Sequence, residues 1–339
     1  RGGSSYAVRA MVSRSGGLTG ASEHDAVPRR TAKALRPAVG CLIFFAFFWA
    51  RAEACSIQRV GATELLEERN HFQAPVIING KPPIHFLVDT GAQRSSIDVG
   101  IAARLELPDR GGRRRSSIGT DGKPGRAYSD VTVRQLTFAG IERFDFAMGV
   151  GDKMEGAGSL RGVVGADLLA KYDLEFDYPN KRLNVYHVKD CSSSSEFKPW
   201  SQPHDAVALK LDQGTLSLPV FFEGKPLELV LDTGAGSTKI SMEAAAKLGL
   251  AVEQLKREAR PTISHGASGM PMENFARRFD RVRVGRGSYG NVEIKVSEID
   301  VKPYDGLLGL DFLRSQKIWV SYATRQLLVE KMSRRDAKP

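Results

Sequence analysis

The sequence predicts a mainly β protein made of two related lobes with short helices, and three observations lead there. The tetrapeptide Asp-Thr-Gly-Ala occurs twice, at Asp89 to Ala92 and at Asp232 to Ala235, 143 residues apart. That offset also carries Ile97 onto Ile240, Ala102 onto Ala245, Leu105 onto Leu248 and Leu107 onto Leu250. An offset of 144 carries Pro75, Gly80 and Pro82 onto Pro219, Gly224 and Pro226. It also carries Gly165, Asp167, Tyr178 and Leu183 onto Gly309, Asp311, Tyr322 and Leu327. Two single-residue gaps therefore convert one half of the chain into the other, as a duplication requires.

Each half opens on a hairpin. Val76-Ile77-Ile78 and His85-Phe86-Leu87-Val88 are strand-like runs, and Asn79-Gly80 between them is a favoured tight turn. Val220-Phe221-Phe222, Glu223-Gly224 and Leu229-Val230-Leu231 repeat the arrangement. The second strand of each hairpin runs into Asp-Thr-Gly, where glycine permits a sharp reversal. Short helices should follow, capped by Asp98 and Ser241. Glycine- and serine-rich stretches from Ser117 to Gly125 and from Ile263 to Gly269 then suggest hairpin tips, and Gly162 to Leu169 and Gly306 to Leu313 close the halves. Strand signals dominate throughout. The predicted organisation is an N-terminal extension and signal over 1–54, a connecting segment over 55–73, and a first lobe over 74–188. An exposed linker over 189–203, a second lobe over 204–331 and a tail over 332–339 complete it.

Composition narrows the function classes. The chain has 339 residues, 42% of them hydrophobic, and a net charge of +10. Half of that charge lies in residues 1–54, and no basic helix or stacking platform stands out elsewhere. Arg113-Arg114-Arg115 is expected as a solvated loop, and no nucleic-acid partner is expected. Basic residues Arg29, Arg30, Lys33 and Arg36, the apolar run Ala38 to Ala50, and Ala52-Glu53-Ala54 have the order of an export signal. The product would be periplasmic or secreted. An uncleaved N-terminal membrane anchor is the competing reading of the same run. Cleavage after Ala54 would expose Cys55, which is open either to lipid attachment or to pairing with Cys191. Ordinary cleavage is preferred, because Glu53 fits a lipoprotein signal poorly. No Cys-x-x-Cys, His-x-x-x-His or phosphate-binding Gly-rich loop is present, so neither metal nor cofactor is expected.

Over about Pro75 to Glu330 the chain resembles the retropepsin-type aspartic peptidases. The apolar strand, Asp-Thr-Gly-Ala, glycine-rich flap and later apolar-apolar-Gly carry the resemblance, and each is present twice. With both halves on one chain it resembles the bacterial tandem form. The resemblance implies an acid protease fold, two β-barrel lobes about a pseudo-twofold axis, and hydrolysis of peptide or protein substrates by one water. Asp89 and Asp232 would form the catalytic pair. Two adjacent carboxyls sharing a proton supply both a base and an acid, the behaviour for which aspartic proteases are the standard example. Thr90 and Thr233 would bond across to the opposite turn, and Gly91 and Gly234 would let amides approach the carboxylates. Gly165 and Gly309 would close the packing around the turns. Flaps would lie at Gly119 to Gly125, including Gly122, and at His265 to Gly269, including Gly266. Ala92 and Ala235 lack the hydroxyl of a serine, so the pair should ionise higher and work nearer neutral pH. Asp167 and Asp311 are expected as helix caps or structural acids. One chain should suffice as an intramolecular pseudo-dimer, although the linker would allow halves to be exchanged between chains. From another class, a peptide-binding module that has lost its chemistry is the alternative.

Overall fold

A computed structural model describes residues 55–120, 122–152, 158–191, 197–258, 260–265 and 271–330. The export signal, the serine run, Gly266 and the C-terminal tail lie outside the described residues. Each half forms a ring of six strands closed on itself. In the first the order is His71–Ile78, Ile84–Val88, Leu160–Val164, Ser96–Asp98, Ile141–Gly151 and Val131–Phe138. Phe138 pairs back onto Val76 to close it. The second ring runs Thr215–Phe222, Lys225–Leu231, Gly306–Leu308, Lys239–Ser241, Gly287–Ser297 and Pro271–Val284, and closes through Val284 on Val220. Closure removes the unpaired edges that an open sheet would expose.

Local chemistry explains the rings. Asn79 and Gly80 both take positive φ (51° and 68°), as do Glu223 and Gly224 (49° and 85°), the twist a two-residue hairpin turn needs. Alternation then fills each interior. Val133, Leu136 and Phe138 point inward from one strand and meet Phe86 and Ile97, all at most 1% exposed. Leu218, Val220, Phe222, Ile240 and Ile294, each 0% exposed, fill the second ring. Asp98 accepts from the amides of Gly100 and Ile101 and Ser241 from that of Ala244, so both are the helix caps their sequence suggests.

A third sheet joins the halves. Its six strands run Ser56–Glu64, Arg182–Lys189, Asp173–Asp177, Lys317–Ser321, Gln326–Glu330 and His204–Ala208, three from each half. The halves meet where Leu174 opposes Val320 and Phe176 opposes Ile318. Trp319, 1% exposed, sits at this seam, and its indole donates to Asp173 at 2.9 Å.

Three sequence expectations are corrected here. Residues 55–73 are not a connection: Ser56–Glu64 is an edge strand paired with Arg182–Lys189, and Leu66–Glu68 pairs with His71–Ile78. Nor is the 189–203 segment simply exposed. Phe197 is 2% exposed and packs with Trp200 on Trp319, where apolar sheet surface would otherwise face water. The basic run at 113–115 also ends differently, because Arg115 begins the strand Arg115–Ile118 and lies 3.6 Å from Asp130.

Of the two fates open to Cys55, the structure has the disulfide with Cys191, across 136 residues of sequence. It ties the start of the edge strand to the end of its neighbour. Breaking a bridge that closes so long a loop should cost about 2–5 kcal/mol. Urea unfolding of the oxidised chain and of the Cys55→Ser/Cys191→Ser variant measures this, and coincident midpoints would refute it.

Candidate active site

The two Asp-Thr-Gly-Ala turns meet where the halves face each other. Ile84–Val88 delivers Asp89, whose amide donates to Val164 O at 3.0 Å. Lys225–Leu231 delivers Asp232, whose amide donates to Leu308 O at 3.0 Å. Each carboxylate then accepts two amides of its own turn. Asp89 Oδ1 takes Gly91 N at 2.8 Å and Ala92 N at 3.0 Å; Asp232 Oδ1 takes Gly234 N at 2.9 Å and Ala235 N at 2.8 Å.

Thr90 and Thr233 cross between the turns. Thr90 Oγ1 donates to Leu231 O at 2.6 Å and accepts the Thr233 amide at 3.2 Å. Thr233 Oγ1 donates to Val88 O at 2.7 Å and accepts the Thr90 amide at 3.1 Å. Each hydroxyl thus binds the opposite half twice. With these four bonds made, Gly91 lies against the Asp232 carboxyl and Gly234 against that of Asp89. A Cβ on Gly91 would stand 2.7 Å from Asp232 Cγ, so any side chain there would displace the carboxyl.

The two carboxyls face each other across the paired turns, each packed against the glycine of the opposite turn. Burial pushes both above the usual carboxylate range, and the amides of their own turns offset this only in part. Asp89's negative charge adds a further upward push on Asp232, which ends well above that range. Such a pair titrates as a unit, retaining one proton to higher pH than an isolated aspartate. Ala92 and Ala235 supply amides but no hydroxyl to resist the shift.

Behind each turn sits a second matched set that the motif alone did not single out. Asp167 Oδ1 accepts Ser95 N at 2.8 Å and Ser95 Oγ at 2.6 Å, and Ser95 Oγ accepts Gly165 N at 3.0 Å. In the other half Asp311 holds Thr238 N and Oγ1, and Thr238 Oγ1 accepts Gly309 N at 2.9 Å. Asp167 and Asp311 are therefore structural acids, not helix caps. Ser95 and Thr238 obey the 143-residue offset, a signal hidden because the two residues differ while their hydroxyls do not. Gly165 and Gly309 pack so closely that a Cβ on either would stand 2.8 Å from Ala92 O or Ala235 O. A contact without a repeat partner also reaches the second turn: Asn70 Nδ2 donates to Gly236 O at 2.8 Å.

Hairpins flank the pair. Arg115–Ile118 and Pro124–Tyr128 form the first, with Gly119 and Gly122 at its tip, where Gly122 N donates to Gly119 O at 3.0 Å. This tip touches the other half: Asp300 N donates to Thr120 O at 2.8 Å, and Thr120 Oγ1 lies 3.7 Å from Met272 Sδ. His265 ends the strand Thr262–His265 of the second hairpin, opposite Pro271.

Residues 74–168 match a family model described as aspartyl protease, and residues 218–315 match that of the gag-polyprotein aspartyl protease. Each match thus falls on one ring of strands. Among solved structures, a retropepsin-like aspartic protease from Rickettsia conorii matches with 20% identity over 39% of this chain and 96% of its own, at a TM-score of 0.30. No curated protein matches the chain.

Proposed function

This chain belongs to the retropepsin-like aspartyl protease family in its two-repeat form, and from that premise we propose that it is an aspartic endopeptidase whose catalytic pair is Asp89 and Asp232. The observation that carries the reading is a pair of carboxyls brought face to face by equivalent, cross-bonded turns. In the working form one carboxyl holds a proton and the other does not. The ionised carboxylate takes a proton from a water placed between them as its oxygen attacks the peptide carbonyl. The protonated carboxyl gives its proton to the carbonyl oxygen, leaving a neutral gem-diol. Return of a proton to the peptide nitrogen and departure of the amine then break the C–N bond. Proton transfers of this kind contribute about 10²–10⁴-fold each. The amides of Gly91, Ala92, Gly234 and Ala235 hold the carboxylates in place without titrating, which suits preorganised electrostatics.

The same geometry supports the rest of the reading. The substrate is a peptide or protein segment lying under the two hairpins, whose closure would exclude water. A single chain supplies both turns and acts as an intramolecular pseudo-dimer. The Cys55–Cys191 bridge supports export to an oxidising compartment, periplasmic or extracellular.

Incubation of the purified chain with a diverse peptide library between about pH 3 and pH 8, spanning carboxylate titration, tests this. Internal peptide-bond cleavage is expected. Folded protein that binds peptides without cutting them would instead identify a binding module. Because both ionisations are raised, both limbs of the pH–rate profile should move upward, placing the optimum above about 4, the ordinary aspartate value. An optimum below that would contradict the direction of the shift.

A further inference from the structure

The second half carries two neighbouring lysines, Lys239 and Lys295, that make no ion pair among the described residues. Lys239 opens the strand Lys239–Ser241 and stands in register with Leu307 on one side and Lys295 on the other. Successive side chains of a strand point to opposite faces. Ile240, 0% exposed, points into the ring, so Lys239 points out of it on the face it shares with Leu307. That face is the wall beside the second catalytic turn. Leu307, Val230, Met272 and Ile299 form a buried apolar cluster there, with Ala235 packed against it. The first hairpin reaches the same cluster through Thr120 on Met272.

Lys239 is half-buried and directed toward the second hairpin, where its Nζ donates to Ser264 Oγ at 2.9 Å. Asn274, 1% exposed, donates to the same oxygen at 3.0 Å and fixes it. Burial pulls the Lys239 ammonium below the usual lysine range, and the charge on Lys295 adds to this; the attraction of Asp232 opposes both. Among the described residues, no carboxylate makes an ion pair with Lys239 or Lys295. Two neighbouring half-buried cations with no ion pair to offset them are costly to the fold. The first half avoids that cost: at the equivalent register it has Ser96 beside Gly149.

We propose that Lys239, with Lys295 beside it, binds a carboxylate side chain of the substrate, so that the cleft takes acidic peptide segments with Asp or Glu held against the second-half wall. The proposal rests on the endopeptidase reading for its use, while the lysine pair itself stands on geometry alone. An incoming carboxylate would form an ion pair there, accepting from the Lys239 ammonium next to Ser264. A hydrogen bond to a charged group in such a site is worth about tenfold or more in selectivity.

The test uses peptides matched in pairs, Glu against Gln at each position in turn, with two readouts. These are kcat/KM for the wild-type chain and equilibrium binding to the Asp232→Asn chain by fluorescence anisotropy. At one position Glu should be favoured over Gln by about tenfold or more. Lys239→Met should bring that ratio near one, Lys239→Arg should keep it, and Lys239→Glu should invert it. Lys239→Gln replaces the methionine variant should that one fail to fold. Lys171→Met removes an exposed charge elsewhere and should leave the ratio unchanged, separating a local contact from general attraction. A wild-type chain with no Glu preference at any position overturns the proposal, as does a preference that survives Lys239→Met. A Lys239→Met variant with a displaced pH profile and an unchanged ratio also overturns it, since the lysine would then act on the carboxyl pair. If no peptide is cut, the endopeptidase reading fails by itself and the binding arm still decides. There, loss of the Glu preference in Asp232→Asn/Lys239→Met supports the proposal, and absence of any such preference ends it.

Discussion

Asp232→Asn is expected to lower peptide cleavage by about 10³-fold or more and, at neutral pH, to make the protein more stable. The loss of activity follows from roles that neither carboxyl can fill alone. Asparagine keeps the shape and the hydrogen bonds from Gly234 and Ala235 but can neither take a proton from water nor share one with Asp89. Asp89→Asn should cost as much, and the double variant little more, because residues acting as a unit are not additive. The gain in stability follows from the sign of the shift. Burial and Asp89 raise the folded-state pKa of Asp232. Between the unfolded value, about 3.9, and the higher folded value, the native state therefore binds more protons than the unfolded chain. Stability contributed by the protonated form is complete below the unfolded value and is lost as pH rises through the folded one. Asparagine has no such proton to lose, so the variant should gain about 0.5–2 kcal/mol near pH 7. The gain should vanish below about pH 4. Thermal unfolding of both proteins at the two pH values measures this. A variant that is less stable at neutral pH, or that still cleaves, would remove Asp232 from the proposed role.

Thr90→Val should destabilise the protein by about 2–4 kcal/mol, and Thr233→Val by a similar amount. Valine matches threonine in shape, so packing changes little, yet each substitution breaks two bonds between the halves. Without the Thr90 hydroxyl, Leu231 O and Thr233 N lose their partner at a site where Thr90 and Thr233 are at most 1% exposed. Buried polar groups left unpaired carry most of that cost. Thr90→Ser keeps the hydroxyl and should recover most of both stability and activity, which a purely steric role for the threonine methyl would not allow. Denaturant unfolding with a parallel activity assay separates these cases. A loss below about 0.5 kcal/mol, typical of a surface substitution, would mean that the crossed bonds are not made in solution.

The repeat made much of the fold legible. With Asp89 and Asp232 aligned, Gly80, Gly91, Gly165 and the cap Asp98 each have a counterpart to check against, at Gly224, Gly234, Gly309 and Ser241. Asn79-Gly80 and Asp98 were readable because tight turns and helix caps depend on a few neighbouring residues. What stayed hidden depended on distant ones. Ser56–Glu64 shows no clean alternation, since it is an edge strand with a register shift between Arg59 and Gly61, and only pairing with Arg182–Lys189 makes it a strand. Phe197 and Trp200 look like part of a polar spacer until the apolar surface around Trp319 is seen beneath them. Lys239 is not legible in the sequence because its meaning lies in what surrounds it: a residue beside Leu307, bonded to Ser264, with no ion pair among the described residues. Composition cannot report the absence of a partner.

The seam between Asp173–Asp177 and Lys317–Ser321 is made within one polypeptide. Where two separate chains must meet, dilution dissolves the working unit, and its population falls with the square of concentration once it is mostly dissociated. Here the meeting is first order, because the tether fixes the local concentration of each half at about the millimolar level whatever the volume outside. A protein released into a large compartment would keep its carboxyl pair intact at a single copy per cell.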